Sequence, residues 1–341
     1  NFILVENVSL YNSSYLFGLI SVIIRDMVSG VTLMKAGIPA RYGERASSVM
    51  DVRLHGGLDR TETRVQGGIG LINSRLHFET PIVQERAALS FGARSSYSDW
   101  LLSRMPDEDL MNSTARFHDF TAKTSFSLNP NNIITLFGYY SYDRFGFLEE
   151  QTTDYTNILS SLRWNRIINE KLSANYILGW SRYDFTVSEE PELNPLLHSK
   201  MDSYIEYRSL RAIYAWQPDM DHSIEFGFNA VNYEVFPGEL IPLGDRSAIR
   251  HEILDRERAL ELSVFASDEI ALGELFQAEI GIRYTHFLQL GPASVNLYEE
   301  GEPKGEQSIS GTEEYDKGDI VADYGGLEPR LGLLYRMGET S

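Results

Sequence analysis

The sequence contains no cysteine, few basic residues and no long apolar run. Without cysteine, the chain forms neither a disulfide framework nor a thiolate metal site. Its 30 Lys and Arg stand against 49 Asp and Glu, a formal net charge of -19. That balance disfavours a nucleic-acid partner, because phosphate binding requires a basic face. The longest apolar stretch, Leu16–Ile24, is far too short for a transmembrane helix.

Catalytic motifs are also missing. The 7 histidines are scattered and show no metal-ligand spacing. The glycine-rich run Gly67–Gly70 is not a phosphate loop, since no helical pattern follows it, and it predicts a tight hairpin turn instead. We therefore predict that the protein is not an enzyme and requires no cofactor.

The segment Tyr298–Asp323 is dense in carboxylates, the oxygen ligands that calcium prefers. Within it, Asp316 and Asp319 are weak candidates for calcium ligands. A complete calcium-loop spacing is missing, so a solvated loop is the alternative and we assign no metal site.

About twelve segments from Arg60 onward alternate in side-chain character, the period of a β-strand. In Ile224–Ala230 and Phe276–Thr285, one face is apolar and the other is polar. The polar face includes Glu225, Glu279 and Arg283, which are costly in a dry core because buried charges need partners. A water-filled lumen or a polar plug accommodates such a face.

From Arg86 onward, the connections alternate between long acidic excursions and tight polar turns. The long excursions are Leu102–Arg116, Val187–Lys200, Phe236–Arg258 and Leu290–Leu327, and the tight turns include Asn129–Asn132, Ile168–Lys171 and Pro218–Asp221. An outer-membrane β-barrel has short turns on one side and long loops on the other, and aromatic girdles at both interfaces. Aromatic residues make up 12% of the chain. A soluble β-sandwich is the alternative, but it explains neither feature.

Residues 1–56 read differently, as a small mixed α/β unit with strands at Val28–Ala36 and Ser48–Leu54. From Lys35 the chain reads KAGIPARYGERASSVMDV, and GGIGLINSRLHFETPI follows at Gly67. These runs resemble the C-terminal half of the plug and the first barrel hairpin of TonB-dependent outer-membrane receptors of the Bacteroidetes type. Ala36 and Glu44 depart from that pattern, which usually has Gly at both positions.

The resemblance implies an all-β fold. Residues 1–56 would be the C-terminal part of a plug domain, and residues 57–341 the N-terminal part of a transmembrane antiparallel β-barrel, about half of a 22-stranded one. We expect an internal piece of a longer protein, in the outer membrane of a Gram-negative bacterium. The implied function is TonB-dependent active import of a scarce, bulky ligand. The partners would be TonB with its inner-membrane energising complex, membrane lipid and lipopolysaccharide. A surface lipoprotein partner stays open.

The resemblance also implies roles for plug residues. Arg41 or Arg45 would pair with a barrel glutamate, expected outside this chain, and so hold the plug. The turn residues Tyr11, Asn12, Tyr15 and Phe17 would touch the ligand, and packing of a β-turn is the alternative for them. The ligand itself stays open among sugar, peptide, siderophore and cobalamin. A passive or structural barrel, such as a porin or a secretion component, is the alternative function.

Overall fold

The structure is a computed structural model, and it describes residues 2–35, 37–43, 48–148, 150–273 and 275–335, without the side chains of Phe17, Glu108 and Leu110. Five residues of the plug-like run, Ala36, Glu44, Arg45, Ala46 and Ser47, lie outside the described residues.

The N-terminal unit, residues 2–54, is built around a four-stranded sheet. Its strands are β1 Phe2–Val5, β2 Val8–Ser9, β3 Ser14–Tyr15, β4 Ile20–Ser21, β5 Val28–Met34 and β6 Val49–Leu54. The sheet order is β2-β1-β6-β5, with β1 parallel to β6, while β3 and β4 form a separate small hairpin. Single 3-10 turns lie at Leu16–Gly18 and Arg25–Met27. The two strands that the alternation predicted correspond to β5 and β6.

The rest of the described chain forms one long antiparallel sheet of twelve successive strands. These strands are β7 Arg64–Ile69, β8 Asn73–Val83, β9 Ala87–Ser96, β10 Thr114–Asn129, β11 Asn132–Phe147, β12 Gln151–Asn169, β13 Leu172–Glu189, β14 Ser199–Trp216, β15 His222–Pro242, β17 Glu257–Leu272, β18 Phe276–Leu290 and β21 Ile320–Tyr335. The short strand β16 Glu252–Ile253 pairs with β15, and β19 Ala293–Tyr298 pairs with β20 Ile309–Tyr315 in a hairpin of its own.

The two faces of the long sheet differ as the alternation predicted. Leu178 and Ile280 on the outer face are 51% and 53% exposed. On the inner face, Arg283 is fully buried and Glu225 contacts the N-terminal unit. Strands of 15 to 21 residues, such as β18 and β15, are longer than the roughly 9–11 residues that cross a bilayer.

From Arg86 onward the connections alternate in length with one exception, so the predicted strict alternation is wrong at one place. Between β11 and β12, where a long loop is due, β11 ends at Phe147 and β12 begins at Gln151. The reason is that β11 and β12 pair without interruption from Asn132 to Phe147. The two strands therefore stay hydrogen-bonded up to the connection between them. The four long connections lie on the same side of the sheet as this short connection.

Helices are few and short. The α-helices α1 Asp99–Leu102 and α2 Glu108–Met111 lie in the long connection between β9 and β10, and 3-10 turns lie at Pro195–Leu197 and Glu306–Ser308. Among the described residues, no helix has the length and apolar character needed to cross a membrane.

An apolar cluster joins the N-terminal unit to the inner face of the long sheet. Val8 and Tyr15 from the unit pack with Phe117, Tyr139 and Leu159 from the sheet, and all five are less than a tenth exposed. Burying each such side chain contributes about 1.5–3 kcal/mol, so this cluster is a main source of the unit's attachment. Charged and polar contacts surround it.

Candidate functional site between the N-terminal unit and the long sheet

An ion pair connects the turn that follows β5 to the inner face of β15. Arg41 Nη1 lies 2.6 Å from Glu225 Oε1, and the two side chains are 27% and 23% exposed. The guanidinium also stacks 4.8 Å from the ring centre of Tyr42. The expectation that the partner of Arg41 lies outside this chain is therefore wrong. For Arg45 the structure offers no description.

Electrostatics favour the charged form of Arg41. Burial opposes the positive charge of Arg41, but Tyr42 and Glu225 outweigh it and raise the pKa of the guanidinium. Burial raises the pKa of the neighbouring Tyr42 hydroxyl as well, so it stays protonated and donates to Asp51 Oδ2 at 3.1 Å. The turn is thus fixed to its own unit by Tyr42 and to the long sheet by Arg41.

Arg283 of β18 clamps the same turn through its backbone. Its Nη1 donates to the carbonyl oxygen of Arg41 at 3.3 Å, and its Nη2 donates to Ser263 Oγ at 2.6 Å. A side chain at Gly43 would clash with this guanidinium, because a Cβ there would lie well inside the van der Waals contact distance of the Arg283 guanidinium atoms. Glycine at this position therefore allows the close approach of Arg283.

A second, deeper ion-pair cluster lies around Glu6. Lys123 Nζ of β10 is 2.8 Å from Glu6 Oε1 and donates to the carbonyl oxygen of Leu54 at 2.6 Å. Arg163 Nη2 of β12 is 3.4 Å from Glu6 Oε2, and Glu6 Oε1 accepts the Leu54 backbone N–H at 2.7 Å. These contacts satisfy a carboxylate that is only 2% exposed, as a buried charge requires.

Tyr15 lies inside the interface. Its ring is 1% exposed, stacks 4.5 Å from Phe117, and its hydroxyl lies 3.1 Å from Asp119 Oδ2 and 3.0 Å from the Tyr139 hydroxyl. Asp119 also accepts from Arg94 Nη2 at 2.8 Å. Burial raises the pKa of the Tyr15 phenol, which stays a neutral donor. This geometry favours the packing alternative for Tyr15.

The other residues of the apex turn are placed differently. Tyr11 stacks on Tyr183 of β13 with ring centres 6.5 Å apart. Asn12 Oδ1 accepts the Ser14 backbone N–H at 3.3 Å, a contact within the turn. The side chain of Phe17 is not described. Tyr11 therefore contacts the long sheet outside the buried core, whereas Tyr15 contacts the sheet inside that core.

The apex turn is also anchored by Asp143 of β11. Its Oδ2 accepts the Leu16 backbone N–H at 3.1 Å. Leu16 has a φ of 52°, a left-handed conformation that is costly for a side chain of its size. The carboxylate thus holds the turn in a conformation that the turn does not favour alone.

Comparison with known proteins places this geometry in a known architecture. No family model and no curated protein matches the sequence. Among solved structures, the ferric-catecholate import receptor Fiu from E. coli is 13% identical with a TM-score of 0.66, over 99% of this chain and 61% of that one. The ferric citrate transporter FecA is 10% identical with a TM-score of 0.70, over 99% and 52%. The hemophore receptor HasR of Serratia marcescens, solved with its hemophore HasA and heme, is 13% identical with a TM-score of 0.67, over 98% and 53%.

The chain has the fold of TonB-dependent receptors. It spans about half to three fifths of the length of the structures that it matches. The Arg41–Glu225 pair and the Glu6–Lys123 cluster connect the N-terminal unit to the long sheet of this fold.

The two calcium candidates in the acidic segment, Asp316 and Asp319, contact each other within a turn. Asp319 Oδ2 accepts the Asp316 backbone N–H at 2.9 Å, which closes the turn before β21. In the described part of the chain, no group of three or more His, Asp or Glu is arranged to hold a metal ion.

Sequence reasoning missed several interface residues. Arg283 and Glu225 belong to the alternating polar face, so their inward direction was readable, but their contacts with the turn at Arg41 were not. For Glu6 and Lys123 the sequence carries no signal, because 117 positions separate the two partners. Such pairs are set by how the N-terminal unit packs on the long sheet.

Proposed function

We propose that the full protein is an outer-membrane active transporter of the TonB-dependent class, which binds a ligand outside and imports it through a plugged barrel. Residues 1–56 would be the C-terminal part of the plug and residues 57–341 the N-terminal part of the barrel. The outer membrane of a Gram-negative bacterium, with its lipid and lipopolysaccharide, would be the surroundings. TonB and its inner-membrane complex would supply the energy.

One observation supports gating most directly: the ion pair between Arg41 and Glu225 is partly hydrated. The two residues each keep about a quarter of their side-chain surface exposed. Water competes for such a pair, so its contribution is modest, about 0–1 kcal/mol. A pull on the plug would therefore separate this pair at lower cost than it would separate the buried cluster at Glu6.

Single-channel recording of the full protein in planar bilayers tests the gate. We expect the wild type to be closed, and Arg41→Ala and Glu225→Gln each to raise the frequency of open events. Arg25→Ala is the matched control, because Arg25 is 79% exposed and forms an ion pair with its neighbour Asp26, not with the long sheet, among the described residues. Equal conductance in all four proteins would refute the gating role.

Energy coupling needs a separate test. The full protein should bind the periplasmic domain of TonB from the same organism in a pull-down, and cells lacking TonB should lose uptake. A closed barrel without TonB binding would contradict active transport. An open wild-type channel would favour the alternative of a passive barrel.

A further inference from the structure

The inner face on the long-loop side carries aromatic rings in adjacent strands. The ring centres of Tyr155 and Tyr183 are 6.3 Å apart, and those of Tyr155 and Phe185 are 5.1 Å apart. Tyr11 of the apex turn stacks on Tyr183 from the plug side. All four side chains are partly exposed, so this aromatic cluster (Tyr11, Tyr155, Tyr183 and Phe185) presents ring surface above the plug.

A buried carboxylate lies beside this cluster. Asp143 pairs directly with Tyr155 across β11 and β12, and Tyr155 pairs with Phe185 across β12 and β13. Asp143 is only 2% exposed. Its Oδ2 accepts from Leu16, whereas its Oδ1 has no hydrogen-bond partner among the described residues. A buried acceptor without a donor is costly, and a donor from a ligand would satisfy it.

The same ladder rows continue into a cavity of about 540 Å³. Tyr183 pairs with Ile205, Ile205 with Val235, and Val235 with Glu257. Tyr233, Val235, Glu257, Glu261, Phe287 and Gln289 line this cavity. Arg258 also reaches its edge, but Arg258 Nε is 3.2 Å from Glu234 Oε2. The cavity therefore resembles the aromatic cluster in composition, because aromatic rings and carboxylates are present in both.

Basic side chains nearby are held by the protein. Arg94 binds Asp119, Lys123 binds Glu6, and Arg283 binds Glu261, Ser263 and the turn at Arg41. Asp143 and Glu257 thus supply the negative charge beside the aromatic rings. Aromatic faces attract cations through the ring quadrupole, and carboxylates supply the counter-charge. An anionic ligand would meet repulsion at the same place.

From this arrangement we infer that the vestibule selects a ligand bearing ammonium or guanidinium groups, such as a basic peptide, bound by the aromatic cluster with Asp143 and by the cavity at Glu257. The inference rests on the proposed function, since it assigns a ligand class to the outward side of the transporter.

Fluorescence anisotropy with the purified full protein in detergent tests the ligand class. The probe is a labelled decapeptide of alternating lysine and glycine, and glutamate–glycine and serine–glycine decapeptides and a maltodextrin are its comparisons. We expect the lysine peptide to bind at one site, about tenfold or more tighter than the others, and to weaken as salt screens the charges. Tighter binding of the serine peptide or the maltodextrin would overturn the inference in favour of a neutral ligand. Tighter binding of the glutamate peptide, or no binding of the lysine peptide, would overturn it too.

Matched variants separate the site from the general negative charge of the chain. Asp143→Asn and Glu257→Gln remove one charge each with little change of shape, and each should weaken the lysine peptide about five- to tenfold. Tyr183→Leu should weaken it by a similar factor by removing a ring face. Glu302→Gln removes the same charge from the exposed loop between β19 and β20 and should leave binding unchanged. Equal losses in Glu302→Gln and Glu257→Gln would mean non-specific attraction and would overturn the site.

The two proposals fail in different ways. A protein whose channel opens on loss of Arg41 and which binds TonB, but not the lysine peptide, keeps the transport function and loses the ligand class. A protein that binds the peptide at Glu257 without TonB-dependent uptake keeps the binding site and loses active transport.

Discussion

Two ion pairs between the N-terminal unit and the long sheet differ in their access to water. Glu6 and Lys123 are 2% and 6% exposed, whereas Arg41 and Glu225 are 27% and 23% exposed. Both pairs have short nitrogen–oxygen distances, 2.8 Å and 2.6 Å, so geometry alone does not distinguish them. Their surroundings distinguish the two pairs. A charge in a dry interface is stabilised mainly by its ion-pair partner, whereas a charge in contact with water is also stabilised by the solvent.

The difference suggests a division of labour within one interface. The Glu6 cluster lies beside the apolar core of Val8 and Leu159, and it fixes the unit on the wall. The Arg41–Glu225 pair lies on another part of the wall and is partly hydrated. We expect this pair to separate before the Glu6 cluster does. Three changes test that order.

The largest effect is expected for Lys123→Met. This change leaves the Glu6 carboxylate buried with Arg163 as its remaining cation, and removing one partner of a buried pair costs about 3–5 kcal/mol. Proteolysis of the N-terminal unit at increasing urea, in the full protein, should show a clear loss of protection. Lys171→Met is the control, because Lys171 donates to the Pro218 carbonyl in an exposed turn. Equal protection in both variants would remove the distinction between the two pairs.

An intermediate effect is expected for Gly43→Ala. The added methyl group displaces the Arg283 guanidinium, which is bound to Ser263 and Thr285, and loss of one or two such hydrogen bonds costs about 1–3 kcal/mol. The thermal midpoint in detergent should fall. Gly30→Ala in β5 meets no atom within 4 Å and should leave the midpoint unchanged. If Gly43→Ala behaves like Gly30→Ala, then Arg283 does not clamp the turn.

The smallest effect on stability is expected for the Arg41–Glu225 pair. A double-mutant cycle with Arg41→Ala and Glu225→Gln should give a coupling free energy of about 1 kcal/mol or less, decreasing as salt is added. Coupling as strong as the loss in Lys123→Met would contradict the order of separation, since the turn would then be held as firmly as the core.

Most of the fold was readable from local patterns. Alternation over Phe276–Thr285 predicted a strand with Ile280 outward and Arg283 inward, and the structure agrees. The number of strands in the long sheet also agrees with the predicted count. The short connection between Phe147 and Gln151 was not foreseen, because a short turn and a long loop follow equally well from two alternating strands.

The candidate site was readable only in part. The family resemblance implied that Arg41 or Arg45 would pair with a barrel glutamate, yet it did not identify Glu225, which is 184 positions away from Arg41. Tyr11 and Tyr15 were assigned one role from one turn, but the structure separates them, with Tyr11 on the wall at Tyr183 and Tyr15 in the core at Asp119. Neighbouring residues in an irregular turn have no fixed period, so sequence spacing cannot assign their directions.

By itself, the sequence determined the strands, the two faces of each strand and the negative charge of the chain. These properties are local or additive: strand geometry fixes the alternation, and charge is a sum over residues. The tertiary structure decided which charges meet, which of them keep water, and which rings gather around Asp143. Those outcomes depend on how the N-terminal unit docks and on the register of eleven strand pairings, and both depend on packing between residues far apart in the chain.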